Sequence, residues 1–254
     1  AVPLMHKYQA AGVQIAAILA HENPGLCVDA KAINPNILTI ARWHNPNSEY
    51  EGGGGSEPWP LAKQIDFAAH AIQLIFDRTN DTEYAASDYF CPGLNEWDKP
   101  GVAGWRNMAE TWVLLCKEAT RRSPEMEAKG LHPIRLAIPG MNNGTPEWDE
   151  MQAVAATGLF GLMKSRGDIF ILHEGVWWDE PIDQGPGDLI PGAPSVPAGA
   201  GSKVGRVNYW YGLLGVQVPF VITEFYDGNK RTTDPAVRLA AMQWAARLYR
   251  HNPW

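Results

Sequence analysis

The sequence predicts an α/β chain of the (β/α)8 barrel type, and three features of its 254 residues lead there. Short β-type runs alternate with helix-period segments, the pattern of parallel strands joined by crossover helices. Seven such runs in one chain of this length fit a barrel better than an open doubly wound sheet. No G-x-G-x-x-G follows the first run, so the dinucleotide-binding form of the open sheet lacks its signature. The eighth strand needed for closure is not recognisable: after the seventh run come one helix and "RHNPW". The expectation is a single domain over residues 1–254 with a gap between "VITEFY" and "PLMHKY". A partner molecule, self-association over the open edge, or a shift of the last helix would cover it.

The runs, in order, begin with "VPLMHKY" (2–8), "LCVDA" (26–30) and "ILTIARW" (37–43). A helix should follow the third, because Leu61, Ile65, Ala68, Ile72 and Ile75 recur at spacings of three and four and mark one buried face. The fourth run is "DYFCPGL" (88–94); after it Trp105, Met108, Ala109, Trp112, Cys116 and Ala119 repeat the helical period. "IRLAIPG" (134–140) is the fifth, and Thr145 with Pro146 reads as an N-cap followed by proline in the first turn. "DIFILHEG" (168–175) and "PFVITEFY" (219–226) complete the set, and Asp234 with Pro235 repeats the capping device before the helix of Val237, Ala241, Trp244 and Leu248. "EGGGGSEP" (51–58) lacks the Lys and helix start of a phosphate loop and reads as a loop over the barrel mouth. The Gly- and Pro-rich span of about 181–205 is too long for a plain connection and is expected to border the site.

Composition excludes several function classes. With 28 acidic against 21 basic residues, no basic stripe is available for a phosphate backbone, so nucleic acid is not an expected partner. No apolar run approaches the roughly 20 residues that span a bilayer, and the first residues lack the blocks of a signal peptide. A soluble chain is expected, with localisation left open and secretion compatible with a start at Ala1. Cys27, Cys91 and Cys116 are too few and too dispersed for a disulfide framework or zinc site, and are expected as buried thiols. No H-x-H or H-E-x-x-H offers a metal, no G-x-S-x-G elbow offers a serine nucleophile, and neither metal nor cofactor is expected. The 11 Trp are unusual, since exposed aromatic faces suit flat partners such as sugar rings.

In a barrel, active groups sit where strands end at their C-terminal side. Two such ends carry a Glu: Glu96 in "GLNEWD" after the fourth run, and Glu224 in "VITEFYDG" closing the seventh. Two facing carboxyls about 5 to 5.5 Å apart allow one to attack an anomeric carbon while the other protonates the leaving oxygen.

This pair resembles the clan A glycoside hydrolases, in which Asn-Glu after strand four supplies the acid/base and a Glu ending strand seven is the nucleophile. "GTPEW", "LHEG" and "GRVNYWYGLL" leading into "PFVITEFYDG" are similar to the branch near families 5 and 39, and the likeness runs over nearly the whole chain. Asn-Glu-Trp stands where Asn-Glu-Pro is usual, and "LHEG" is followed by "VWW". The resemblance implies a retaining hydrolase of β-linked oligo- or polysaccharide, with Glu224 as nucleophile and Glu96 as acid/base. Asn95 would bind the sugar 2-hydroxyl, and Arg42 would hold Glu224 ionised. His173 would bind sugar or orient Glu224, and Tyr226 would line the pocket. Trp43, Trp97, Trp177 and Trp178 fall at strand ends as stacking platforms, with at least one expected in the core, and His6 and Gln9 leave the first run within reach of a hydroxyl. The alternative is a carbohydrate-binding barrel without turnover.

Overall fold

A computed structural model describes residues 2–43, 58–93, 101–176, 190–195, 201, 203–227 and 234–249. The chain opens with α1 (Val2–Ala10), β1 (Ala17–His21), α2 (Gly25–Ile33) and β2 (Leu38–Trp43). It continues through α3 (Leu61–Arg78), α4 (Asp81–Ala86), β3 (Tyr89–Pro92), α5 (Gly101–Glu127) and β4 (Ala137–Met141). Then come α6 (Trp148–Ala156), α7 (Leu159–Arg166), β5 (Ile169–Val176), α8 (Val207–Leu214), β6 (Phe220–Asp227) and α9 (Pro235–Tyr249).

The expected eight-stranded barrel is not what forms. The described residues make six strands in two three-stranded parallel sheets, ordered β1-β2-β3 and β4-β5-β6. One isolated parallel bridge, Phe90 with Leu136, joins β3 to β4, so all six strands run the same way. The first two expected strands are helices. "VPLMHKY" lies in α1, where Pro3 falls in the first turn and needs no N–H donor. "LCVDA" lies in α2, whose buried Cys27 and Ala30 are three apart, a helical spacing. The true first strand, "AILAH", has weak β-propensity and is held by its ladder to β2, from Ala17 against Leu38 to His21 against Arg42.

Strand alternation divides the core into two faces. Ala41, Phe90, Leu136, Ile138, Phe170 and Leu172 point to the side covered by helices and belong to the main core. Ile40, Cys91, Ala137, Ile169 and Ile171, with Leu19 and Val221 against them, form a second cluster drawn from all six strands. The second cluster is therefore an apolar face shared by the strands of both sheets.

The helices follow the periodicity with two corrections. In α3 the buried face is Gln64, Phe67, Ala68, Ala71, Ile72, Leu74 and Ile75. Leu61 and Ile65, expected on it, are 62% and 51% exposed, and Leu61 lines a surface groove between α3 and α5. The N-cap of α6 is Glu147, two residues past the expected Thr145, because the Glu147 N–H donates to Glu150 Oε2 at 2.7 Å and sets the first turn there. At α9 the expected device stands, with Asp234 Oδ1 accepting from Ala236 N at 2.9 Å. All three cysteines are free and buried.

Candidate functional site

Parallel strands put every C-terminal end on one rim, and the predicted site residues can be placed along it in turn. Arg42 and His173 are described in full. Arg42 is buried near the end of β2, in register with His21 of β1 and Cys91 of β3. By alternation it shares the face of Ile40 and Cys91, the second cluster. His173 is 2% exposed on β5 and shares the face of Ile169 and Ile171, so the two side chains lie on the same face of the strands. The backbone of Glu224 on β6 is the register partner of His173, and Gly175 pairs with Tyr226. That pairing depends on an irregularity after Leu172, where β6 carries one extra residue, Thr223.

Asn95, Glu96, Trp97, Trp177 and Trp178 lie outside the described residues. Glu96 follows the third strand and Glu224 lies on the sixth, where the fourth and seventh were expected; the interval of three strands is unchanged. Trp43 is not a platform: it is 2% exposed, its ring stacked at 6.1 Å on Phe90 inside the main core. His6 and Gln9 lie on α1, not at a strand end. Among the described residues no group of three or more His, Cys, Asp or Glu is arranged to hold a metal, and no helix is long and apolar enough to cross a membrane.

A buried polar network at this rim went unread in the sequence. Glu174 neighbours His173 but alternates to the helix side, where it is fully buried. Its carboxyl accepts from Gly205 N at 2.8 Å and Val207 N at 3.0 Å, seating the first turn of α8. Burial pushes its pKa up to about 7, outweighing these N–H donors and the nearby Arg206 charge, which pull it down. Arg206, 3% exposed, donates through Nη2 to the Pro146 carbonyl and lies 3.8 Å from Glu147. Burial lowers its pKa to about 10, with Glu147 and Glu174 opposing.

Glu150 extends the network to the third exit. Its Oε2 accepts from Glu147 N, and its Oε1 accepts from Gly101 N at 2.9 Å. Gly93 N, at the other side of the segment with Asn95 and Glu96, donates to the Trp43 carbonyl at 2.9 Å. Both flanks of that segment are thus fixed to the rim, one on β2 and one on α6. "GTPEW" and "GRVNYWYGLL" also meet here, through Arg206 on Pro146 and through the tilted Trp148 and Tyr209 rings, 6.4 Å apart. The local signals were a charge inside an apolar run for Glu174 and the spacing of Glu150 three residues after Glu147 at the start of α6; the Pro146 contact of Arg206 and the Gly101 contact of Glu150 had none, since those partners lie 60 and 49 residues away.

No protein-family model matches the chain, and no curated protein matches it.

Proposed function

We propose that the chain is a retaining glycoside hydrolase of β-linked oligo- or polysaccharides, with Glu224 as nucleophile and Glu96 as acid/base. The reading rests on the sequence pattern of the two Glu-bearing exits. The observation that carries it furthest is strand direction: β3, which leads into Asn95 and Glu96, and β6, which contains Glu224, point to one rim, with Arg42 on β2 and His173 on β5 sharing one face of the strands.

In the first step the Glu224 carboxylate bonds to the anomeric carbon as the glycosidic C–O bond breaks, and Glu96 gives its proton to the leaving oxygen. While Glu224 is ionised, its charge disfavours a second one on Glu96 and keeps that group protonated. Once Glu224 is esterified the restraint is gone. Glu96, now ionised, takes a proton from water as the water oxygen attacks the anomeric carbon and the ester bond breaks. Arg42 and His173 favour the ionised nucleophile, Asn95 binds the 2-hydroxyl, and Tyr226 lines the pocket. Trp97, Trp177 and Trp178 offer stacking faces to the sugar.

A panel of β-linked glycosides and polysaccharides tests this. Wild-type hydrolysis, lost by about 10³-fold or more in Glu224→Gln, is expected. Glu224→Ala should be rescued by azide with inverted stereochemistry, whereas Glu96→Ala should keep slow turnover of substrates with good leaving groups. No turnover of any substrate by the wild type, or equal and unrescuable loss in both alanine variants, overturns the reading.

A further inference from the structure

We infer that Asn143 is a substrate-contacting residue, its side-chain amide binding a pair of neighbouring sugar hydroxyls; this rests on the glycosidase reading. Asn143 lies two residues past the end of β4, so its loop leaves the rim between the exit leading to Asn95 and Glu96 and the exit carrying His173. It is 6% exposed, and neither its Nδ2 nor its Oδ1 has a hydrogen-bond partner among the described residues. A buried amide left unpaired loses its hydration without compensation, and native chains rarely leave both of its ends so.

The loop around it is not slack. Asn143 N donates to Asn142 Oδ1 at 2.7 Å, and the Asn142 carbonyl accepts from Thr145 N at 3.4 Å and Thr145 Oγ1 at 3.3 Å. Next along, the Arg206 guanidinium holds the Pro146 carbonyl. A backbone fixed on both sides limits how far the amide can turn towards a protein partner. Beside it Gly144 takes φ +78°, and a Cβ built there would meet no atom of the described residues within 4 Å. The ligand chemistry follows from the group. An uncharged amide gives two donors and an acceptor in one plane, which suits one hydroxyl oxygen and the O–H beside it, and offers no advantage to an ion.

The test compares wild type with Asn143→Leu, similar in shape and without polar atoms, on the substrate that the wild type hydrolyses best. The expected result is a 10- to 100-fold lower kcat/KM carried mostly by KM, with a Tm equal to or above that of the wild type, because the amide has no internal bonds to lose. An unchanged kcat/KM overturns the inference. So does a lower Tm, which would mean that the amide is bonded within the protein. If the wild type itself turns over no glycoside, the glycosidase reading has failed and this assignment goes with it; that case is recognised because the parent protein, not the variant, is silent.

Discussion

At the N-terminal ends of the strands, Asp88 and Asp168 each stand one residue before a strand and accept a backbone N–H from the neighbouring segment, whereas at the C-terminal ends one buried group, the Asn143 amide, has no partner among the described residues. Asp88, before β3, accepts from Thr39 N at 2.9 Å and from Lys31 Nζ at 2.7 Å. Asp168, before β5, accepts from Leu136 N at 2.8 Å and from Arg166 Nε at 2.7 Å. "SDYF" and "GDIF" are therefore one device used twice, fixing register across β2–β3 and β4–β5. At the other end the Asn143 amide has no partner among the described residues, and burial raises the carboxyl of Glu174 as it does that of Asp168. One end is built for register. The other holds groups whose free energy is not minimised in the free protein, a frequent property of binding and catalytic sites.

The largest effect is expected from breaking the register end. Asp168→Ala leaves the Arg166 guanidinium, only 9% exposed, and the Leu136 N–H without their carboxylate. A loss of about 3–5 kcal/mol in urea unfolding is expected, since a buried charge deprived of its partner is poorly solvated. The residual folded fraction should keep the rim's properties. A loss below about 1 kcal/mol would show that the clamp does not set register.

The pH dependence of stability sharpens the comparison at the other end. The pKa of Glu174 rises on folding from its ordinary 4.5 to about 7, because burial outweighs its N–H donors and the Arg206 charge, itself flanked by Glu147. Between those values the unfolded chain has lost the proton and the folded chain keeps it. This group's contribution therefore falls as pH rises from about 4.5 to about 7, by about 3 kcal/mol in total, and is level above that. Glu174→Gln should remove that slope, measured as urea midpoints at pH 5 and 7.5 against the wild type. A slope of the same size in the variant would place its origin elsewhere.

How far the sequence revealed this arrangement depended on whether the cause was local. The apolar runs behind β2 to β6 were legible, as were the cores of α3 and α5, because alternation and the 3.6 period are written in neighbouring residues. β1 was not, because "AILAH" is extended only through pairing with β2. "VPLMHKY" and "LCVDA" were too short for their apolar content to separate strand from helix. At the site, Arg42 and His173 were legible as polar residues closing apolar runs, and the structure puts both on one face of the strands. The Pro146 contact of Arg206 and the Gly101 contact of Glu150 were not, because those segments meet only in the folded chain, and nothing in the local sequence marks the Asn143 amide as unpaired.

The smallest expected effect is at Glu150, which shows whether the rim network positions a segment or only holds a helix. Its two oxygens accept from different backbone groups, Glu147 N at 2.7 Å and Gly101 N at 2.9 Å. Glu150→Gln keeps the shape but turns one acceptor into a donor, so one of the two N–H groups faces an NH2. A cost of about 1–2 kcal/mol follows whichever contact is lost. The two cases differ in consequence. If the Gln oxygen stays on Glu147, the start of α6 is preserved and the Gly101 end of the Asn95–Glu96 segment is released. Amide exchange at Gly101 and along the first turn of α5 should then quicken by about 10-fold while that of α6 is unchanged, and glycoside hydrolysis should fall more than the stability loss accounts for. Faster exchange confined to α6, with hydrolysis at the wild-type rate, would mean that Glu150 serves its own helix and that the tether at Gly101 is dispensable.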